Sequence, residues 1–249
     1  MSSELIILLF GIAIGTTIGM IGNGGVVLIL FFMNFKNLNI NTAMGTALAT
    51  FIGTGILGTI VYNHKNHVDW KSGILLSITG IFGAFIGTKI GVSILEKTLN
   101  TVFAIFLLIL SIFTIIRGKY NNININLINR FNNNIIIAIG FFAGIASGLF
   151  GIGGPAIVVP LLINIGFPML VAVGTSQLDC LFASLSGAIS HALHGYINYK
   201  IAILAGSGEL IGIVIGWKLA NYIGKSKEYI LKTIVAFALI GMAMYMILL

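Results

Sequence analysis

Charged side chains are scarce in this chain, and their scarcity excludes a conventional soluble protein. Only 8% of the 249 residues are Asp, Glu, Lys or Arg, whereas 58% are hydrophobic and the mean hydropathy is +1.09. Soluble domains usually carry about a quarter charged residues. We therefore expect an integral membrane protein without a soluble catalytic domain, inserted as a multi-pass protein in the inner or plasma membrane of a prokaryote.

Three features that would indicate other functions are absent or nearly so. Cys180 is the single cysteine, which excludes an internal disulfide and a cysteine metal cluster. The net charge of +7 comes from lysines and arginines that stand singly in short loops, so nucleic acid is not an expected partner. The chain has no G-x-x-x-x-G-K-[ST] loop, and we expect no cofactor and no bound metal.

Apolar segments recur along nearly the whole chain, and each is long enough to cross about 30 Å of hydrocarbon. They lack the period-two alternation of barrel strands, so we interpret all of them as helices and expect an all-α fold. The segments run roughly from 5 to 33, 41 to 62, 72 to 91, 99 to 117, 135 to 165, 170 to 192, 201 to 222 and 229 to 249.

Small and polar residues recur at a constant offset along the chain. Gly19 and Gly148 are separated by 148 − 19 = 129 residues, and the matched positions are too often glycine, threonine or lysine to reflect shared hydrophobicity alone. The offset predicts two duplicated transmembrane repeats, 1–117 and 135–249, joined by an asparagine-rich linker at 118–134. It also relates Gly22/Gly151, Gly24/Gly153, Gly25/Gly154, Ala43/Ala172, Gly45/Gly174, Thr46/Thr175, Gly58/Gly187, Lys71/Lys200, Gly83/Gly212, Gly87/Gly216 and Lys89/Lys218.

Each repeat opens with a glycine cluster, at 19–25 and at 148–155, that we expect to interrupt a helix. Glycine costs roughly 1 kcal/mol relative to alanine inside a helix, and Pro155 has no backbone N–H to donate. The half-helix that follows, beginning near Val26 or Pro155, would present free N–H groups and a partial positive charge to an anion. Close packing of helices at small residues is the alternative for each cluster.

Lysine and arginine positions predict how the broken segments sit in the membrane. The two pieces of a broken segment have about 14 and 9 residues, too few for either piece to cross alone. If both broken segments fold back as re-entrant hairpins, nine lysines and arginines lie on one face and four on the other, which satisfies the positive-inside rule. Three transmembrane helices per repeat then remain, so the two repeats are inverted, as in many secondary transporters.

The motifs of both repeats resemble the TauE/SafE sulfite-exporter family of membrane permeases over nearly the whole chain. The second repeat carries Gly151-Ile152-Gly153-Gly154-Pro155, Gly174-Thr175-Ser176, His191 to Gly195 and Tyr196-Ile197-Asn198-Tyr199. The first repeat departs from this pattern with Asn23, Val26 and Ala47. The resemblance implies transport of small sulfur-containing anions such as sulfite or sulfonates.

Polar residues near the glycine clusters and inside the apolar segments are the candidate site residues. For substrate binding we expect Asn23, Gly24, Gly25, Thr46, Gly153, Gly154, Thr175, Ser176 and Gln177. For coupling to a proton or another cation we expect Asp179, His191, His194 and Glu209. Each carboxyl lies near the middle of an apolar segment, where a charge is costly, and the two histidines are three residues apart on one helical face. The alternatives are structural hydrogen bonds for the carboxyls and hydroxyls, and interfacial positions without a role for the histidines.

The leading interpretation is a secondary transporter, not an enzyme, that binds a small anion at the paired glycine breaks near the membrane midplane. Sulfite or a related organosulfonate is the expected substrate, the lipid bilayer is the surrounding partner, and a proton or ion gradient is the energy source. A passive anion channel and an integral membrane enzyme acting on lipid are the alternatives. Duplication argues against the enzyme, because a single active site does not need two matching repeats. The direction of transport and the oligomeric state stay open.

The topology can be tested by labelling. With both broken segments re-entrant, both termini face outward and the 118–134 linker faces the cytoplasm. A cysteine placed at Asn122, in a background that lacks Cys180, should escape an impermeant thiol reagent in intact cells and react once the membrane is opened. Labelling from outside in intact cells would reject this arrangement.

Overall fold

The computed structural model describes residues 2–22, 24–118 and 133–223. Within these residues every regular element is an α-helix, which confirms the predicted all-α class. Asn23, most of the 118–134 linker and the predicted segment 229–249 lie outside them. The helices are α1 (Ser3–Ile21), α2 (Gly25–Lys36), α3 (Ile40–Asn63), α4 (Trp70–Ser93), α5 (Glu96–Gly118), α6 (Asn133–Phe150), α7 (Pro155–Asn164), α8 (Met169–Leu193) and α9 (Tyr199–Ile223).

Six of the described helices are long and apolar enough to cross a membrane. The chain is therefore a multi-pass membrane protein, as its composition predicts. α2 and α7 are also apolar, but they have 12 and 10 residues. Their lengths, about 18 and 15 Å, fall short of the hydrocarbon layer. The six long helices are α1, α3, α4, α6, α8 and α9.

The helices break at the glycine clusters, yet the first piece of each broken segment is longer than predicted. α1 has 19 residues and α6 has 18, or about 27 to 28 Å each, so the prediction that neither piece can cross alone is wrong for these two. The reason is that Gly19 stays helical. Its lack of a side chain lets the α9 backbone at Ile213 approach, and the helix ends only at Gly22, where φ is 73°.

α1 and α2 form a hairpin that begins and ends at the same end of the helix bundle. Lys200, at the start of α9, forms an ion pair of 2.7 Å with Glu4, at the start of α1. Thr46, near the start of α3, accepts a hydrogen bond from the backbone N–H of Asn198, just before α9. α2 ends at Lys36, shortly before α3 begins. The starts of α1, α3 and α9 and the end of α2 therefore lie together.

α6 and α7 form the equivalent hairpin from the opposite end of the bundle. Thr175, near the start of α8, accepts a hydrogen bond from the backbone N–H of Asp69, just before α4. Gly140, near the start of α6, lies against Leu76 of α4. The starts of α4, α6 and α8 thus lie together, at the end of the bundle where α3 finishes and the short connection to α4 begins.

Two pairs of parallel helices, α1 with α9 and α4 with α6, touch through their backbones. A methyl group added at any of six glycines would meet the backbone of the partner helix, and the contacts advance in the same direction along both helices of a pair. Small residues permit this approach, which is common between membrane helices. The contacts are Gly11 with Ala205, Gly15 with Glu209 and Gly19 with Ile213, and then Gly140 with Leu76, Gly144 with Gly80 and Gly148 with Ala84.

α3 and α8 cross at the centre of the bundle and run antiparallel. Gly45, near the start of α3, lies against His191, near the end of α8, whereas Gly174, near the start of α8, lies against Tyr62, near the end of α3. The 129-residue offset relates the residues of α3 to those of α8. The two helices that this offset relates therefore run in opposite directions.

Gly87 in α4 and Gly216 in α9 allow the helix packing to be tested. A methyl group at either position would meet a backbone carbonyl oxygen of the neighbouring helix. Gly87→Ala and Gly216→Ala should each lower the free energy of unfolding by about 1 to 3 kcal/mol, as overpacking does. The melting temperature in detergent would fall, while anion binding would largely persist.

Gly53→Ala in α3 is the matched control for these two substitutions. The nearest neighbour of an added methyl group at Gly53 is Leu210 Cδ2, at 3.4 Å, which is an ordinary contact. This variant should melt at or above the wild-type temperature, because alanine also favours the helix. Equal stability of Gly87→Ala and Gly53→Ala would contradict direct backbone contact in α4.

Candidate functional site

The tips of the two hairpins meet in the middle of the bundle. A methyl group at Gly22 would lie 2.6 Å from Val159 of α7, and one at Gly25 would lie 2.9 Å from the Ile152 carbonyl oxygen. The Phe51 side chain, at the middle of α3, lies beside Gly25 and Gly153. The structure thus brings both glycine clusters together, although they are 129 residues apart.

The backbone at the second break needs glycine more than the first break does. Gly151, Gly153 and Gly154 have φ values of 68°, 74° and 83°, a left-handed region in which a Cβ is strained. Gly24, by contrast, has an extended φ of 168°. At Gly25 the restriction is the space beside the Phe51 ring, 2.8 Å from an added methyl group.

A half-helix begins at each break, as the glycine clusters predict. α2 starts at Gly25 and α7 at Pro155, and neither N-cap residue offers a side chain to the first N–H groups. The first turn of a helix has N–H groups without intrahelical partners and carries a partial positive charge. Both half-helices therefore direct this charge towards the meeting point of the hairpin tips.

The Asp179 carboxyl group lies at the start of α7 and is fully buried. A methyl group at Gly154 would lie 2.7 Å from Asp179 Oδ2, and one at Gly80 would lie 2.5 Å from Oδ1. Neither oxygen has a hydrogen-bond partner among the described residues. A buried charge without partners is very costly, so this carboxyl needs a proton or a ligand.

The Glu209 carboxyl group is the other fully buried acidic group of the described chain. Its Oε1 lies 3.0 Å from the Thr50 hydroxyl of α3, while Oε2 has no partner in the described region. The backbone of Glu209 packs on Gly15 of α1. Glu209 therefore lies between α3 and the first arm of the α1–α2 hairpin.

The predicted hydroxyl ligands are engaged in backbone hydrogen bonds. Thr46 accepts from Asn198 N at 3.0 Å, and Thr175 accepts from Asp69 N at 2.9 Å. Ser176 donates to the carbonyl oxygen of Val173. These contacts favour the structural alternative for all three hydroxyls and place Thr46 and Thr175 at opposite ends of the bundle, away from the hairpin tips.

Gln177 keeps polar groups that could serve a ligand. Its side chain is fully buried against Gly58 of α3, and neither its Nε2 nor its Oε1 has a hydrogen-bond partner in the described part of the chain. A buried amide normally finds such partners. Among the predicted side-chain ligands that are described, Gln177 therefore remains the strongest candidate.

The two predicted coupling histidines do not share an environment. His191 is buried beside Gly45 and faces the backbone of Gly148, although both ring nitrogens fall outside hydrogen-bond geometry. His194 is exposed and follows the end of α8, with Nδ1 2.8 Å from the Ser190 carbonyl oxygen. His194 is the C-cap residue of α8, so the two rings differ in burial although they are three residues apart.

A third histidine lies in the loop between α3 and α4. Burial, followed by the nearby Lys65 charge, lowers the pKa of His67 below its usual value, so this ring is neutral at pH 7.

The side chains that could bind a metal ion do not cluster in the described residues. Within residues 2–22, 24–118 and 133–223, no three His, Cys, Asp or Glu side chains lie close enough to hold a metal ion.

Tyr62 makes a contact at the end of α1 that the sequence did not predict. Its hydroxyl donates a 2.6 Å hydrogen bond to the carbonyl oxygen of Gly19, near the end of α1. The 129-residue offset relates Tyr62 to His191 and Gly19 to Gly148, so each hairpin has a ring at the end of its first arm. The offset could have revealed this pair, but Tyr and His do not match as identical residues.

Comparisons with known proteins agree with the fold. A family model described as sulfite exporter TauE/SafE matches residues 7–246. The probable membrane transporter protein YunE of Bacillus subtilis is 30% identical over 245 residues, covering 87% of this chain and 90% of that protein. The probable membrane transporter protein MJ0441 of Methanocaldococcus jannaschii is 25% identical over 215 residues, covering 80% and 79%. No solved structure matches the chain.

The match to the family model, over residues 7–246, includes both hairpins apart from the first four residues of α1. The relatives are named as membrane transporters rather than enzymes, which agrees with the prediction that the chain is not an enzyme. The motifs in the two glycine clusters had indicated the same family. The chain belongs to the sulfite exporter TauE/SafE family of membrane transporters.

Proposed function

We propose that the chain is a secondary transporter that binds a small anion between the tips of its two hairpins and moves it together with a proton. Sulfite or a related sulfonate is the proposed substrate, in keeping with the description of the family. The observation that carries the proposal is the meeting of two half-helix N-termini beside a buried carboxyl group. Helix N-termini attract anions, and the carboxyl supplies a proton site.

Backbone N–H groups are the proposed ligands of the anion. No lysine or arginine is buried in the described part of the chain, so positive charge at the hairpin tips comes from the helix ends. Gly24, Gly25, Gly153 and Gly154 bring this backbone close to a ligand. Gln177 is proposed to add a side-chain donor from α8.

Asp179 is proposed to link the anion to a proton. The ionised carboxylate and a substrate anion would both be attracted to the start of α7, and they would repel each other there. Protonation of Asp179 removes that repulsion, so each ligand favours binding of the other. The anion and the proton would then cross together.

The two repeats are proposed to be inverted across the membrane. The antiparallel course of α3 and α8 supports this arrangement, as do hairpins that enter from opposite ends of the bundle. An inverted pair can alternate between two equivalent conformations that expose the central site to one face or the other.

Accumulation of sulfite in liposomes against its own gradient, driven by a pH gradient, would distinguish this carrier from a passive channel.

Gly154→Ala should abolish anion binding while the protein still inserts in the membrane. The added methyl group would lie 2.7 Å from Asp179 Oδ2 and would strain a φ of 83°. Binding of sulfite to the purified protein and uptake into liposomes measure the effect. Gly25→Ala should also impair binding if both breaks contribute, through contact with Phe51.

Gly195→Ala provides the matched control for backbone strain. Gly195 has a similar φ of 74°, but an added methyl group there would have no neighbour within 4 Å. This variant should keep sulfite binding and lose at most some stability. If Gly154→Ala binds sulfite normally and is merely less stable, the second cluster serves packing and the anion site lies elsewhere.

Asp179→Asn should weaken the pH dependence of transport more than it weakens folding or binding. The amide keeps the shape of the side chain but cannot exchange a proton. Initial rates of sulfite uptake in liposomes, measured between pH 5 and pH 8, provide the comparison. An unchanged rate and pH profile in the variant would remove Asp179 from the mechanism.

A further inference from the structure

The two buried carboxyl groups occupy related places in the two repeats, although they belong to different helices. The 129-residue offset relates Asp179 of α8 to Thr50 of α3, and Glu209 of α9 to Gly80 of α4. In one repeat pair, Thr50 contacts Glu209. In the other, Asp179 contacts Gly80. The α3–α9 contact therefore contains one carboxyl, which α9 supplies. The α8–α4 contact also contains one carboxyl, but α8, the helix related to α3, supplies it.

The hydrogen bonds of Thr50 are compatible with a protonated Glu209. The Thr50 hydroxyl lies 2.8 Å from the Ala47 carbonyl oxygen and 3.0 Å from Glu209 Oε1. A hydroxyl has one hydrogen to donate, and the carbonyl oxygen can only accept. The Thr50 hydroxyl can donate either to Glu209 Oε1 or to the Ala47 carbonyl oxygen. In the second case the contact with Glu209 is a hydrogen bond only if the carboxyl is protonated and donates.

The surroundings of both groups also favour a neutral carboxyl. Among the described residues, neither oxygen of Asp179 nor the Oε2 of Glu209 has a hydrogen-bond donor. The other titratable group that both carboxyls face is the buried thiol of Cys180. No lysine, arginine or histidine faces either carboxyl from the described residues of α1, α3, α4 or α7. A carboxylate in such a place would be unpaired.

We propose that Asp179 and Glu209 form two equivalent proton sites, one for each hairpin, and that two protons move with each anion. This inference rests on the proposed transport function and specifies its coupling. Two protons neutralise a divalent oxyanion, so the substrate class that fits is a dianion such as sulfite in its fully ionised form. Transport of such a dianion would move no net charge.

Proteoliposomes that contain the purified protein can measure the coupling ratio. With two protons per sulfite dianion, a tenfold proton gradient should balance about a hundredfold gradient of the dianion at zero net flux. At zero membrane voltage, Glu209→Gln and Asp179→Asn should each reduce the balanced dianion gradient to about tenfold, and uptake by each variant should become sensitive to membrane voltage. Glu96→Gln, which neutralises an exposed carboxyl outside both sites, should leave the ratio unchanged.

Exchanging the carboxyl between helices tests the equivalence directly. Thr50→Asp with Glu209→Gly rebuilds the first site in the form of the second, and Gly80→Glu with Asp179→Thr does the reverse. In the second exchange the close neighbour of a Cβ at Gly80 is the side chain that is replaced, because that Cβ would lie 2.5 Å from Asp179 Oδ1 and 3.7 Å from the Ala183 Cβ. Each double variant should transport two protons per sulfite, as the wild type does. The corresponding single variants, Glu209→Gln and Asp179→Asn, should transport one.

Infrared difference spectra of the same proteins give a second measurement that does not depend on transport. Wild type should show two protonated carboxyl bands, and Glu209→Gln and Asp179→Asn should each lose one. A ratio unchanged by Glu209→Gln, or one band in the wild-type spectrum, would overturn the proposal even if sulfite transport is found. Two bands without sulfite transport would instead reject the proposed substrate and leave both proton sites in place.

Discussion

Direct contact between helix backbones at glycine holds the rest of this structure in place. α1 lies on α9 and α4 lies on α6 with direct backbone contact at Gly11, Gly15, Gly19, Gly144 and Gly148. A helix carbonyl group cannot change its conformation as a flexible side chain can. Each contact therefore fixes both the distance and the register of the two helices. The first arm of each hairpin is thereby attached to the other repeat, and its tip is directed to the centre of the bundle.

Residues that the 129-residue offset relates agree closely in their backbone contacts and differ in the side chains that complete those contacts. Tyr62 and His191 face equivalent carbonyl oxygens near the ends of α1 and α6, but a phenol donates at neutral pH whereas an imidazole donates only through its protonated nitrogen. A hydrogen bond from Tyr62 thus holds the first hairpin, whereas the ring of His191 contacts the second hairpin without hydrogen-bond geometry. Two arms with similar geometry therefore differ in how firmly they are attached.

Much of the fold could be predicted from the sequence, because its determinants are local. Long apolar segments require helices in a membrane, and glycine clusters interrupt them. The length of α1 could not be predicted in this way, since Gly19 breaks a helix or packs within one according to whether α9 lies beside it. The roles of Thr46 and Thr175 were also hidden, as their backbone partners are 152 and 106 residues away. Spacing along one helix does not reveal such partners.

Backbone dipoles suit a site that must both bind and release an anion. A buried lysine would pair with the substrate strongly, and its own charge would be stranded once the anion left. Two half-helix N-termini supply a smaller positive charge that needs no counter-ion of its own. In the proposed mechanism, the neighbouring Asp179 occupies the start of α7 when it is ionised and yields that position when it is protonated. Exchange of these two negative groups at one helix end would couple substrate binding to protonation with little movement of the surrounding helices.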